Sequence, residues 1–146
     1  MALLSTIRHD SIIRADDYNN YPINIVGAGA TGSRVFMALV ELGFTNIKVY
    51  DYDIVEAHNL ANQAYFNKHI NQPKVWGLRD LAERKLGVSA DQTHMEFHTE
   101  RVTDRQFTGF LFLLTDTMAS RREIVDAQDK SANSELFQIF ETRMAS

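Results

Sequence analysis

Cysteine is absent from all 146 residues of the chain. Disulfides, a thiol nucleophile and thiolate metal sites are thereby excluded within it. Long apolar runs are missing too. A membrane-spanning helix needs roughly 20 apolar residues, and the longest run here, residues 110–114, suits a buried strand instead. The opening MALLSTIRHD has no basic start followed by an apolar block, so it does not read as a secretory signal. A cytoplasmic protein with no membrane partner is the expectation. Basic clusters are equally scarce: the net charge is −4, the pI is about 5.7, and no block of Lys and Arg occurs. Nucleic acid is therefore not expected as a partner. No internal repeat or low-complexity segment is evident, which sets aside repeat architectures and biased tracts.

What is present is the composition of one globular domain. Hydrophobic residues make up 45% and charged residues 23%, an ordinary balance, and the length suits a single core. Residues 1–20 read as an N-terminal arm or short helix followed by a turn. Residues 22–26 (PINIV) predict a strand, with proline at its tolerated first position. From Thr31 to Leu42 the apolar positions Val35, Leu39 and Leu42, with Ala38, recur at helical spacing, and Gly43 is a natural stop. Residues 46–51 alternate as a second strand. Residues 53–72 predict a long loop with a short helix. Pro73 opens a helix running to about Leu86, since proline is tolerated in a first turn, and Gly87 ends it. Residues 94–98 predict a third strand, 103–108 a short helix or turn, and 110–115 (FLFLLT) a strand buried on both faces. Residues 118–130 look helical, and 135–141 read as a further strand. This order predicts an α/β domain: a Rossmann-like open, mostly parallel sheet with helices on both faces. Such sheets usually continue with another helix after that strand, so a fragment or minimal version of a longer domain is expected.

Gly27-Ala28-Gly29-Ala30-Thr31-Gly32 fits G-x-G-x-x-G between a strand and a helix, the context that the motif requires. The first glycine permits the tight turn, the second lets backbone approach phosphate, and the third lets helix pack on strand. Phosphate then sits at the helix N-terminus, where free N–H groups and the macrodipole favour an anion. Asp51 ends the second strand 24 residues after Gly27, where an acid accepts hydrogen bonds from ribose hydroxyls. That signals a nucleoside without separating ATP from NAD. Asp53 is either a second acid at the ligand or a loop cap.

The run Asp51 to Gln63, DYDIVEAHNLANQ, resembles the D-x-D-x-V-x-x-x-N-L-x-R-Q segment of the ThiF/MoeB/HesA family, relatives of the ubiquitin-activating enzymes. Gln72-Pro73-Lys74-Val75 resembles the family's G-x-P/S-K-V segment, and Thr115-Asp116-Thr117-Met118-Ala119-Ser120-Arg121 its T-D-N-x-x-x-R stretch. The resemblance runs from residue 22 to about 143. It implies an adenylyltransferase that uses ATP and Mg2+ to activate the C-terminal carboxylate of a small ubiquitin-like or sulfur-carrier protein, most often as a homodimer. Lys74 would contact ATP phosphates and Asp116 would serve catalysis and the metal. Gly27, Gly29, Thr31, Gly32, Asp51, Asp53, Asn59, Asn62 and Gln63 would complete the nucleotide site. Each retains an ordinary alternative: Lys74 a solvated first-turn lysine, Asn59 and Gln63 turn residues, Asp116 the N-cap of the helix at 118–130. The resemblance also implies an arginine reaching the ATP from the N-terminal arm of a partner subunit, for which Arg8 and Arg14 are the candidates, neither in the family's R-x-x-R-Q context.

The chain also departs from the pattern. Asn62 stands where the family has arginine, and asparagine supplies no cation for the transition-state charge. Thr117 replaces an asparagine and Asn71 a glycine. The family's later half, with its C-x-x-C zinc motifs, is absent from this sequence. The H-N-x-x-N-Q run of His58 to Gln63 resembles virus-encoded branches of the family. Two other readings stand beside adenylation: a non-catalytic scaffold subunit, motivated by Asn62, and an NAD-dependent oxidoreductase, motivated by the glycine loop and Asp51. The latter leaves DYDIVEAHNLANQ and QPK unexplained. His94 and His98 flank the third strand without a third metal ligand and read as surface histidines. Arg121 and Arg122 read as helix-surface charges, and Tyr65, Phe66 and Trp76 as core or packing groups.

Overall fold

A computed structural model describes residues 19–131 and 134–142. The turn expected before the first strand is present at residues 19–21; the rest of the expected arm, with Arg8 and Arg14, lies outside the described residues. Five strands form one parallel sheet in the order β3-β2-β1-β4-β5. They are β1 (Ile23–Val26), β2 (Ile47–Tyr50), β3 (Glu96–His98), β4 (Gly109–Leu113) and β5 (Leu136–Glu141), and the connecting helices are α1 (Ala30–Glu41), α2 (Lys74–Leu86) and α3 (Met118–Ala127). The chain winds outward from β1 to β3, then returns to the other side of β1 as β4. That reversal leaves a crevice at the carboxyl ends of β1 and β4, where open α/β sheets bind ligands. Among the described residues, no helix is long and apolar enough to cross a membrane.

Alternation along the strands builds two cores. On one face Ile23, Ile25, Ile47 and Val49 pack with Phe36 and Val40 of α1 and Val75, Leu78 and Ala82 of α2. On the other, Val26, Tyr50, Leu111 and Leu113 pack with Ile124 of α3 and with Phe107 and Val102. Asn24 points to this second face, and its Nδ2 donates to the carbonyls of Thr108 and Phe110 at 2.8 and 3.0 Å. A buried amide satisfied in this way costs little.

Several expected details shift. The seam of α1 runs through Gly32, Ser33, Phe36 and Val40, while Val35, Leu39 and Leu42 flank it and Ala38 faces solvent. The close fit of Gly32 on the glycine turn sets the helix's rotation, which apolar spacing alone does not reveal. No helix forms at 103–108. The Gln128 side chain holds that segment instead, accepting the Phe107 N–H at 2.9 Å and donating to the Arg105 carbonyl at 2.8 Å. Gln128 is also where α3 stops, short of residue 130. In β4, Leu111 and Leu113 are fully buried but Phe110 and Phe112 only partly, since among the described residues no helix covers that face beside β5. Tyr65 is buried as expected, whereas Phe66 and Trp76 are 60% and 54% exposed, so these two are not core.

Candidate functional site

The glycine turn meets the end of β4. Gly27 has φ +106°, and a Cβ there would lie 2.6 Å from the backbone carbon and oxygen of Leu114. A Cβ on Gly32 would lie 1.8 Å from the Gly27 oxygen, so Gly32 is a packing glycine beneath the turn. Gly29 differs: a Cβ there would meet only the Gln63 Nε2 at 3.8 Å. Its backbone borders open space, and α1 begins at it with no side-chain cap and no acid in the first turn. The first amide N–H groups of a helix are left for an incoming acceptor under those conditions.

Asp51 fastens this turn to the β2 loop. Its carboxylate accepts the Ala28 and Asp53 N–H groups, both at 2.7 Å. Burial pushes its pKa up against the pull of those two bonds and of Lys74. Asp51 thus shapes the loop as well as lining the depression in which it was expected to meet ribose. Tyr65 secures the same turn from below: its hydroxyl donates to the Ala28 carbonyl at 2.6 Å, and desolvation holds its pKa far above the usual phenol range.

Lys74 is placed by a short antiparallel run. The Val55 and Lys74 amides donate to Gln72 and Asp53 carbonyls, and Asn71 donates back to Val55. Asn71 takes φ +71°, the left-handed conformation that asparagine tolerates best after glycine, which explains its place at a family glycine. Lys74 is 7% exposed, and its Nζ lies 4.0 Å from Asp53 Oδ2.

Three adjoining depressions converge on this region. The first has Gly27, Gly29, Asp51, Asp53 and Lys74 on one side, Thr115 and Asp116 on another, and an apolar wall of Val26, Val102 and Leu114. The second is polar and gathers Asp53, Asn59, Asn62, Gln63, Lys74 and Asp116. The third lies between Ala30 and Thr31 of α1 and Thr115, Asp116, Arg121 and Thr142. Asp116 borders all three. It is not the helix cap: Thr117 Oγ1 accepts the Ser120 N–H at 3.2 Å and fills that role. Among the described residues, no hydrogen bond or ion pair occupies the Asp116 carboxylate. Asn59 caps its own turn, its Oδ1 accepting the Glu56 N–H at 2.8 Å, so the amide NH2 is what it offers the depression. Gln63 Oε1 and Thr115 Oγ1 are buried with no protein partner among the described residues.

Arg121 and His69 are buried polar groups that the sequence reading did not place in the interior. Arg121, expected on the surface, is 3% exposed and binds the Thr115 carbonyl through Nε and Nη2 at 3.0 and 2.7 Å. Its one advance signal was its match to the family motif. His69 is 1% exposed, accepting the Phe66 N–H at Nδ1 and meeting Asp80 Oδ2 through Nε2 at 2.8 Å. No pattern marked it. His98 stacks on Tyr50, with 4.8 Å between ring centroids, and its Nε2 meets Glu96 at 2.9 Å.

The sequence matches the ThiF family over residues 3–134. The chain belongs to that family. The catalytic subunit of the NEDD8-activating enzyme E1 of Arabidopsis thaliana is 28% identical over 93 residues, which are 62% of this chain and 20% of that protein. The fold is shared with E. coli TcdA, a tRNA N6-threonylcarbamoyladenosine dehydratase solved with AMP: TM-score 0.70, 16% identity, 82% of this chain and 50% of that one. E. coli MccB, solved with AMPCPP and MccA, gives a TM-score of 0.59 and 19% identity over 70% of this chain and 31% of that one. The chain therefore spans half or less of the length of these relatives.

Mg2+ in phosphate sites is held by one or two carboxylates together with substrate phosphates. Asp116, with its unengaged carboxylate, and Asp53 across the second depression fit that demand. Among the described residues, no cluster of three His, Asp or Glu forms a self-sufficient metal cage.

Proposed function

We propose that the chain is an ATP-dependent adenylyltransferase domain acting on the C-terminal carboxylate of a small ubiquitin-like or sulfur-carrier protein, and that it works as a homodimer. The observation that carries this reading is the convergence of Asp116, Lys74 and the α1 N-terminus on adjoining depressions. The first, with its apolar wall and Asp51, suits the nucleoside. The second, with Lys74, Asn59, Asn62 and Gln63, suits the triphosphate. In adenylation a carboxylate oxygen bonds to the α-phosphorus as the bond to pyrophosphate breaks, giving an acyl adenylate and pyrophosphate. That chemistry asks mainly for positioning and charge neutralisation. Lys74 would neutralise the leaving phosphates, the α1 N–H groups would face phosphate oxygens, and Asp116 would hold the metal. Mg2+, when bound, supplies charge stabilisation at the phosphates.

The test is ATP–pyrophosphate exchange with candidate carrier proteins ending in glycine. Carrier-dependent exchange that is lost in Asp116→Ala supports the reading. ATP binding without exchange, unchanged by Asp116→Ala, favours the non-catalytic subunit that Asn62 suggests. The NAD-dependent alternative finds no support in the family match.

A further inference from the structure

Arg121 lies in the first turn of α3 and is almost fully buried. A guanidinium removed from water needs an acid or a full set of acceptors. Among the described residues, no carboxylate lies within ion-pair distance of it. Instead its fork bridges two strand ends. Nε and Nη2 donate to the Thr115 carbonyl at 3.0 and 2.7 Å, Nη2 donates to Thr142 Oγ1 at 3.1 Å, and Nη1 donates to the Thr142 carbonyl. Thr115 follows β4 and is bonded directly to Asp116; Thr142 follows β5. The Thr115 hydroxyl gives the segment no hold, being buried without a partner, and the Asp116 side chain makes no bond of its own among the described residues.

We infer that Arg121 is a positioning residue: by tying the Thr115–Asp116 peptide to the end of β5, it sets where the Asp116 carboxylate stands and so sets the metal-dependent part of nucleotide binding. The inference rests on the proposed role of Asp116. Arginine suits the task because its planar fork reaches both strand ends at once, whereas a lysine ammonium is a point donor on a flexible stem.

The test compares ATP affinity in Mg2+ and in EDTA for the parent, Arg121→Lys, Asp116→Ala and the double variant. Arg121→Lys is expected to weaken Mg·ATP about tenfold, the scale of a lost charge-assisted hydrogen bond, with little change in EDTA. The double variant is expected to bind no worse than Asp116→Ala, because residues acting through one another are not additive. Equal losses with and without Mg2+, or losses that add to those of Asp116→Ala, would overturn the inference and leave Arg121 a fold residue. If Asp116→Ala itself binds Mg·ATP as the parent does, the proposed role of Asp116 falls first, and the two failures are told apart. Thr142→Val removes one acceptor from the fork and covers the case in which Arg121→Lys does not fold. It is expected to cost about two- to threefold, in Mg2+ only, in line with a weak neutral hydrogen bond; no loss, or the same loss in EDTA, counts against the inference.

Discussion

Gly27, Gly29 and Gly32 share one motif but differ in what an added methyl group meets, so alanine at each separates folding from binding. At Gly32 the new Cβ would lie 1.8 Å from the Gly27 oxygen and 2.7 Å from its carbon. Both are backbone atoms within a turn fixed by Asp51 and Tyr65. Relief requires α1 to move from the turn by on the order of 1 Å, and overpacking of this kind costs up to about 3 kcal/mol or more. For a domain of this size that lowers Tm by about 10 °C. Gly27→Ala combines a clash at 2.6 Å with φ +106° and should be at least as harmful. Gly29→Ala meets no protein atom closer than 3.8 Å, and its φ of −85° lies outside the left-handed range. Stability should then fall by less than at Gly32, where the new Cβ meets backbone. The methyl group instead enters the space proposed for phosphate, and Mg·ATP affinity should fall about tenfold, equivalent to about 1.4 kcal/mol. Thermal melts and calorimetric titration of the three variants read both quantities. If Gly29→Ala melts as early as Gly32→Ala, or binds ATP as the parent does, the division of labour argued for the turn is wrong.

Other perturbations probe the supports of the site. Tyr65→Phe removes the donor to the Ala28 carbonyl; unfolding in urea should show a loss of about 1 kcal/mol, and an unchanged midpoint would mean that the bond contributes nothing. Phe36 is fully buried between α1 and the sheet, and Phe36→Ala should cost about 3–5 kcal/mol in the same assay; a loss below about 1 kcal/mol would show that this core is loosely packed. Lys68, then His69, hold the Asp80 carboxyl below its usual range. A depressed folded pKa means that the interaction stabilises the fold above the unfolded carboxylate value of about 4 and fades as the pH falls below it. Asp80→Asn should lower Tm at neutral pH and flatten its acid limb; Tm–pH curves that run parallel for variant and parent would refute this.

The elements with strong local signals were legible in the sequence. Pro73 and Gly87 bracket α2 to the residue, since both act through their own backbone restrictions. The glycine turn is readable because Gly27 and Gly32 leave no room for a Cβ against neighbouring backbone. What escaped depends on partners distant in sequence. The held loop at 103–108 is fixed by Gln128, and no local pattern announces that. The burial of Arg121 follows from Thr142, 21 residues away. Trp76 is exposed because α2 turns Val75, Leu78 and Ala82 to the core instead. At the site, Asp53, Lys74 and Asp116 were named from motifs, but their meeting at adjoining depressions is a product of the crossover between β3 and β4.

The central claim is that these depressions bind ATP, and titration of the purified domain with Mg·ATP and separately with NAD tests it most directly. The account predicts saturable Mg·ATP binding, weakened about tenfold or more in Lys74→Ala through loss of a charge-assisted contact, and little or no binding of NAD. A preference for NAD, or Mg·ATP binding indifferent to Lys74→Ala, would contradict it.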